Sequence, residues 1–220
     1  MISEPIDWVD IPIAFVIDDD DVDRAAIAKT LKNYGVRVRT FASADSFLRM
    51  LDPEQAGCIV LDIHMPGLNG PELQAQLSQR QSGLPIIFVS GLVDVSMATH
   101  AMRLGAIDVL EKPVLPERLI AMVFQAFEVA IATKNANGLK RDIQEAISKL
   151  TPKERDVMRC LLEGESMKEI ARHCNCSVAT VARYQTSVLE KMNSLNTTQL
   201  AIKMHKASAR PEKASITSEA

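Results

Sequence analysis

The chain has 220 residues, 47% of them hydrophobic, and a formal net charge of −3; it is long for one compact unit and carries enough apolar material for two cores. No apolar run approaches the roughly 18 residues a membrane span requires, and the acidic opening MISEPIDWVD lacks the basic and apolar regions of a signal peptide. The expectation is therefore a cytoplasmic protein with no membrane partner. Its four cysteines, Cys58, Cys160, Cys174 and Cys176, read as reduced thiols in that setting.

Charge divides the chain. Residues 1–127 carry 17 Asp+Glu against 10 Lys+Arg, whereas residues 139–210 carry 8 against 13. An acidic half followed by a basic half suggests separate tasks, the basic one compatible with a polyanionic partner.

In chain order, residues 13–17, 36–41, 58–61, 85–89 and 106–110 are short apolar, β-branched runs that read as strands. Between and after them, 22–34, 43–51, 70–79, 94–104 and 116–132 have helical spacing, most closed by Gly or Pro. Five strands alternating with five helices predict a doubly wound, five-stranded parallel α/β sheet covered on both faces, with its functional crevice at the carboxyl ends of the strands.

Chemistry gathers at those ends. Asp18-Asp19-Asp20-Asp21 follows the first strand, Asp62 the third, Ser90 the fourth, and Lys112-Pro113 the fifth. Asp20 and Asp21 read as a helix cap or solvated charge, but Asp18, Asp19 and Asp62 brought together would repel one another unless a cation intervened. Hard oxygen ligands with open positions suit Mg²⁺. A carboxylate so placed can attack phosphorus while the metal and a lysine absorb the developing charge.

The segments AFVIDDDD, CIVLDIHMPGLNG, PIIFVSG, AMRLGA and LEKP resemble the receiver domain of two-component response regulators, especially the FixJ subgroup, over residues 13–132. The resemblance implies a CheY-like receiver over residues 1–132, with Asp62 as phosphoacceptor, Asp19 as direct Mg²⁺ ligand and Asp18 as a ligand acting partly through water. It further implies the His64 backbone carbonyl as a metal ligand, Ser90 as a group that bonds and follows the phosphoryl group, and Lys112 as its charge partner before a cis bond to Pro113. Where many receivers carry Tyr or Phe three residues before the lysine, this chain has Val109. Any signal must then travel through Ser90, the loop after it and the 94–104 helix.

Residues 133–149 read as a linker, beginning with polar Asn135-Ala-Asn-Gly138 and containing a helix over 139–150. Thr151-Pro-Lys-Glu154 and Ser166-Met-Lys-Glu169 are capping boxes that open two helices, Gly164 closes the first, and Ser177 caps a third running to Met192. A final helix spans 198–206. The short helix, tight turn and longer helix form a helix-turn-helix candidate. In the longer helix, Val178, Val181, Gln185, Val188 and Met192 make the core stripe, and Ala182, Arg183 and Thr186 lie opposite, flanked by Tyr184 and Lys191. Arg183 can read guanine or bind phosphate, and Thr186 can reach a base edge.

LTPKERDVM, GESMKEIA and SVATVARYQTSVLEKM resemble the all-α, four-helix helix-turn-helix output domain of the LuxR and NarL families, over 150–206. The resemblance implies Ala182, Arg183 and Thr186 facing the bases of double-stranded DNA and Lys168 and Tyr184 near phosphates, with Thr180 and Lys191 in the same DNA-binding set. Relatives usually carry His at 184 and a polar residue at 182. Cys174-Asn-Cys176 beside His173 has the wrong spacing for zinc and no second cysteine pair. Residues 207–220 read as a disordered tail.

Together these readings describe a phosphorylation-controlled transcription factor, not an enzyme, partnered by a sensor histidine kinase and DNA. It is expected to form a homodimer on phosphorylation through Val95, Met97, Met102 and Val109, unless these apolar residues simply complete the receiver core, since helical side chains there also pack on the sheet. The alternative is a protein-interaction regulator with a degenerate, weakly DNA-binding output domain. An aspartyl phosphatase of the haloacid-dehalogenase type needs a second acid two residues after the nucleophile, where this chain has His64.

Overall fold

The computed structural model describes residues 11–92 and 95–208, divided into two compact units, Met1–Lys134 and Asn135–Ala220. The first unit runs β1 (Ile13–Ile17), α1 (Asp21–Asn33), β2 (Arg37–Phe41), α2 (Ala44–Met50), β3 (Gly57–Asp62), α3 (Gly70–Gln79), β4 (Ile86–Ser90), α4 (Val95–Arg103), β5 (Asp108–Glu111) and then α5 (Pro116–Ser148). All strands pair in parallel in the order β2-β1-β3-β4-β5. The order reverses between β1 and β3, the switch point at which crevices open in such sheets.

Alternation along each strand builds two cores. Phe15, Ile17, Ile59, Leu61, Phe88 and Val109 face one side, against Phe47 of α2, Leu73 and Leu77 of α3 and Ala101 of α4. Ala14, Val16, Cys58, Val60, Ile87 and Leu110 face the other, against Ile27 and Leu31 of α1 and Leu119, Val123 and Phe127 of α5. This double burial explains why β1, β3 and β4 are continuous apolar runs rather than alternating ones. The edge strand β2 is mostly exposed and carries Arg37 and Arg39, charges that discourage further pairing.

Of the two readings of the apolar residues on α4 and β5, completing the receiver core holds for Val109 and Met97. Val109 is buried and Met97 packs on the same core, because both sit on the side of the sheet that α4 covers; Met102 remains exposed. The expected start of this helix at residue 94 and the side chain of Val95 lie outside the described residues.

The expected linker also differs. Residues 133–148 hold no break: α5 is one helix of 33 residues, so the segments read as 116–132 and 139–150 are joined, the second ending at Ser148. Pro116 at the start is its only proline, and Gly138 adopts no positive φ. A single glycine costs a helix only about 1 kcal/mol, less than its apolar flanks recover by packing. By length and composition α5 is the one helix among the described residues long and apolar enough to cross a membrane. Leu119, Val123, Ala126 and Phe127 are nonetheless packed on the sheet.

The second unit comprises the end of α5, from Asn135 onward, with α6 (Pro152–Leu162), α7 (Met167–His173), α8 (Val178–Lys191) and α9 (Thr197–Ser208). Both expected capping boxes form, Thr151 with Glu154 and Ser166 with Glu169, and Ser177 caps α8. Gly164 closes α6 at φ +82, a conformation natural to glycine. Asn175, at φ 51, makes the tight turn between α7 and α8. Val157, Cys160, Ile170, Ala171 and Val181 form one buried cluster; Met158, Val188, Met192 and Leu200 belong to another with Ile143 and Leu150. Val178, expected in the core stripe, is exposed, because the crossing of α7 and α8 opens there into a depression lined by Lys168, Arg172 and Val178. Ala207 and Ser208, expected in a disordered tail, are helical; residues 209–220 lie outside the described residues.

Candidate functional site

The sheet register assembles the first site. Ile17 pairs with Leu61, so Asp18 and Asp62 leave adjacent strands side by side. Asp62 pairs with Val89, putting Ser90 one step beyond, and Ser90 pairs with Glu111, bringing Lys112 alongside. Donor oxygens of Asp18, Asp19 and Asp62 lie within 4.8 Å of one another. Asp18 and Ser90 are fully buried, Asp62 nearly so, and Asp19 is exposed.

Lys112 occupies the middle of this cluster. Its Nζ donates to Asp18 Oδ2 at 2.8 Å and Asp62 Oδ2 at 2.9 Å, and pairs with Asp23 Oδ2 at 2.9 Å. The His64 amide donates to Asp62 Oδ1 at 3.1 Å, and the Asp20 amide to Asp18 Oδ1 at 2.9 Å. Burial raises the Asp18 pKa, outweighing the lowering effect of Lys112 and the Asp20 amide. Burial also opposes the Lys112 ammonium, but its bonds to Asp18, Asp23 and Asp62 prevail and raise its pKa. Three carboxylates thus face one ammonium and Asp19 stands beside them, leaving an excess of negative charge on hard oxygen donors, open to water at Asp19. That donor set fits Mg²⁺, which keeps several waters while bound to one or two carboxylates.

The loop after Asp62 is tightly seated. A Cβ at Gly70 would lie 2.7 Å from the Asp62 backbone oxygen and 3.0 Å from Phe88 Cε1, so only glycine lets α3 start here. Ser90 Oγ donates to the Leu92 backbone oxygen at 2.8 Å, accepts from the Leu92 amide at 3.3 Å and stands 3.4 Å from His64 Nδ1. The peptide bond between Lys112 and Pro113 is cis, as the resemblance implied.

Asp20 is the N-cap of α1, accepting from the Val22 and Asp23 amides at 2.8 and 3.0 Å. Sequence reasoning missed Asp23 and Arg24. Arg24 pairs with Asp21 and donates to the Asp18 backbone oxygen at 2.6 Å, bracing the acidic loop. The available signal was their place in the first turn of α1, directly after the cap.

In the second unit, Ala182, Arg183 and Thr186 are exposed together on α8, and Lys168 is exposed on α7. Thr186 Oγ1 donates to the Ala182 backbone oxygen at 3.1 Å, and the Arg183 guanidinium stands 5.8 Å from the Tyr184 ring centroid. Tyr184 is half-buried against the Val157 and Ile170 cluster. Thr180 is half-buried, its Oγ1 2.9 Å from Ser177 Oγ at the helix cap.

Lys191 stands apart from the expected DNA-facing set. Its Nζ donates to both oxygens of the buried Glu154 carboxylate, at 2.8 and 2.7 Å. Ser187 Oγ donates to the same group at 2.6 Å. Glu154 therefore caps α6 and ties it to α8, a role its capping-box spacing only half revealed.

The family profile described as the response regulator receiver domain matches residues 14–124, and that described as bacterial regulatory proteins of the luxR family matches 148–204. Among similar proteins, the transcriptional regulatory protein FixJ of Bradyrhizobium diazoefficiens is 38% identical over 84% of this chain and 91% of its own length. The tetrathionate response regulatory protein TtrR of Salmonella typhimurium is 34% identical over 90% and 93%. The solved structure of response regulator StyR is similar with a TM-score of 0.78 at 33% identity, over 89% of this chain and 98% of that one. Full-length FixJ from B. japonicum gives 0.54 at 36% identity, over 89% and 97%.

Proposed function

The chain belongs to the two-component response regulators that join a receiver domain to a LuxR-type DNA-binding domain, and on that premise we propose that Asp62 accepts the phosphoryl group that governs DNA binding by α8. The observation carrying this reading is the Lys112 ammonium, bonded at once to Asp18 and Asp62 at the switch point of the sheet.

Asp62 is the acceptor on this reading because it is the last residue of the central strand β3 and its side chain keeps 10% exposure where that of Asp18 has none, so that of the two buried acids only Asp62 is open to an incoming phosphorus. In transfer, an Asp62 oxygen bonds to phosphorus, the bond from phosphorus to the kinase's histidine nitrogen breaks, and the imidazole leaves with the electron pair. Lys112 is positioned to follow the charge onto the phosphoryl oxygens. Ser90 gives up Leu92 to donate to one of them. Asp18, Asp19, Asp62 and the His64 carbonyl would hold Mg²⁺, which when bound supplies positive charge to the same oxygens. The partners on this reading are a sensor histidine kinase and duplex DNA, met in the cytoplasm, with Arg183 and Thr186 at the bases and Lys168 at phosphate. Two copies per duplex would follow from a two-fold site, with exposed Met102 and Leu104 as contributors to pairing.

With Mg²⁺ and a small phosphodonor, the chain should gain one acid-stable, hydroxylamine-labile phosphoryl group, and Asp62→Asn should gain none. Equal labelling of the variant would remove Asp62 as acceptor. A second reading, in which the output domain regulates by protein contact, is favoured by one observation: with Lys191 engaged by Glu154 and alanine at 182, the α8 face presents few cations. A steep loss of duplex affinity with salt supports DNA binding and a flat response the alternative.

A further inference from the structure

Three of the four cysteines lie in the second unit, and none has a part in DNA contact or phosphoryl transfer. Cys160 is buried near the end of α6, with Cys174 and Cys176 packed on the same cluster. After Gly164 reverses the chain, the Glu165 amide donates to the Cys160 backbone oxygen at 3.1 Å, setting Glu165 back over the end of α6. His173 is the last residue of α7, and its Nδ1 stands 3.2 and 3.4 Å from the two Glu165 carboxylate oxygens. Donor atoms of Cys160, Glu165 and His173 all lie within 4.8 Å of one another.

We propose that Cys160, Glu165 and His173 form a binding site for one zinc-class divalent ion. The Cys160 thiol is hydrogen-bonded to the Glu165 carboxylate and that carboxylate meets His173, so sulfur, oxygen and nitrogen donors already converge at one point. Sulfur, imidazole nitrogen and carboxylate oxygen together select a borderline-soft ion such as Zn²⁺ over Mg²⁺, which takes oxygen alone. Ligands of one tetrahedral zinc stand roughly 3–4 Å apart, so closing the shell takes about an ångström of side-chain movement. Exposure rises from Cys160 through Glu165 to His173, with side-chain values of 21% and 63% for the last two, which provides an entry path and leaves a fourth position for water. Binding releases the Cys160 proton as the thiolate–metal bond forms. The ion would clamp α7, the first helix of the helix-turn-helix, to the end of α6.

The test uses the reduced full-length chain with millimolar Mg²⁺ present, so that the Asp18, Asp19 and Asp62 cluster is occupied. Zn²⁺ is titrated in competition with a chromophoric chelator, and Co²⁺ is added separately as a spectroscopic probe. One Zn²⁺ per chain is expected, weakened at least about tenfold in His173→Gln and unchanged in Asp62→Asn. A thiolate-to-cobalt band in the near ultraviolet should appear in the wild type and vanish in Cys160→Ser. Because His173 is exposed, His173→Gln keeps the test valid if Cys160→Ser misfolds. Absence of stoichiometric binding, or wild-type affinity in His173→Gln, would overturn the site.

Discussion

Replacing Glu154 by glutamine keeps the side-chain volume and the capacity to cap α6, and removes one charge. The carboxyl is 6% exposed and accepts from Lys191 Nζ, Ser187 Oγ and the Thr151 amide at 2.6 to 2.8 Å. Lys191 chiefly, then Ser187 and Thr151, hold its pKa down at about 2 against an ordinary 4.5. At about 1.4 kcal/mol per pH unit, that depression sets a ceiling of about 3 kcal/mol. Lys191 is one-third exposed, so water and salt reduce the contribution to about 1–2 kcal/mol. The folded-state pKa lies below the unfolded one, so the stabilisation is complete above roughly pH 5 and is lost as pH falls towards 2. Glu154→Gln should thus lower the stability of α6 and α8 at neutral pH, and the difference from wild type should close across that acid window. Because two units can unfold separately, the assay is urea-dependent amide exchange of the full chain, read by mass spectrometry on peptides from α6 and α8. A change below about 0.5 kcal/mol, or a difference from wild type that persists undiminished to pH 3, would refute the reasoning.

Removing the Lys112 ammonium strands Asp18, which is wholly buried; Lys112→Ala should cost the receiver about 3–5 kcal/mol. Mg²⁺ should recover more of the loss there than it adds to wild type, as read by thermal unfolding with and without the ion, and an equal metal response in both would argue against a shared site. Arg183→Ala should weaken specific duplex binding by about 1–3 kcal/mol and relax preference at one base pair. Lys168→Ala should weaken every duplex alike and flatten the salt dependence, which fluorescence anisotropy with specific and scrambled duplexes resolves.

Asp18, Asp62, Ser90 and Lys112 were legible because each ends or follows an apolar run, and strand ends in a parallel sheet converge whatever the intervening loops do. Period-two burial, however, is invisible in strands apolar at every position. The side of β5 on which Val109 falls, and with it the withdrawal of Val109 from the surface, emerged only from the register with β4. The continuity of α5 escaped because Asn135 and Gly138 weaken a helix locally, whereas its persistence depends on apolar packing before and after them. Pairs distant in sequence left the faintest trace. Nothing near Lys191 announces that Glu154, 37 residues earlier, takes its charge, and Cys160 meets Glu165 and His173 only because Gly164 turns the chain between them.

Ser90 reaches Leu92 solely through main-chain atoms, while the Leu92 side chain is 82% exposed. How the hydroxyl is held and what the loop displays are therefore decided by different atoms of one residue. Substitution at position 92 can change the surface offered to a partner while leaving the resting grip on Ser90 intact, so recognition and switching can diverge independently within a single turn of chain.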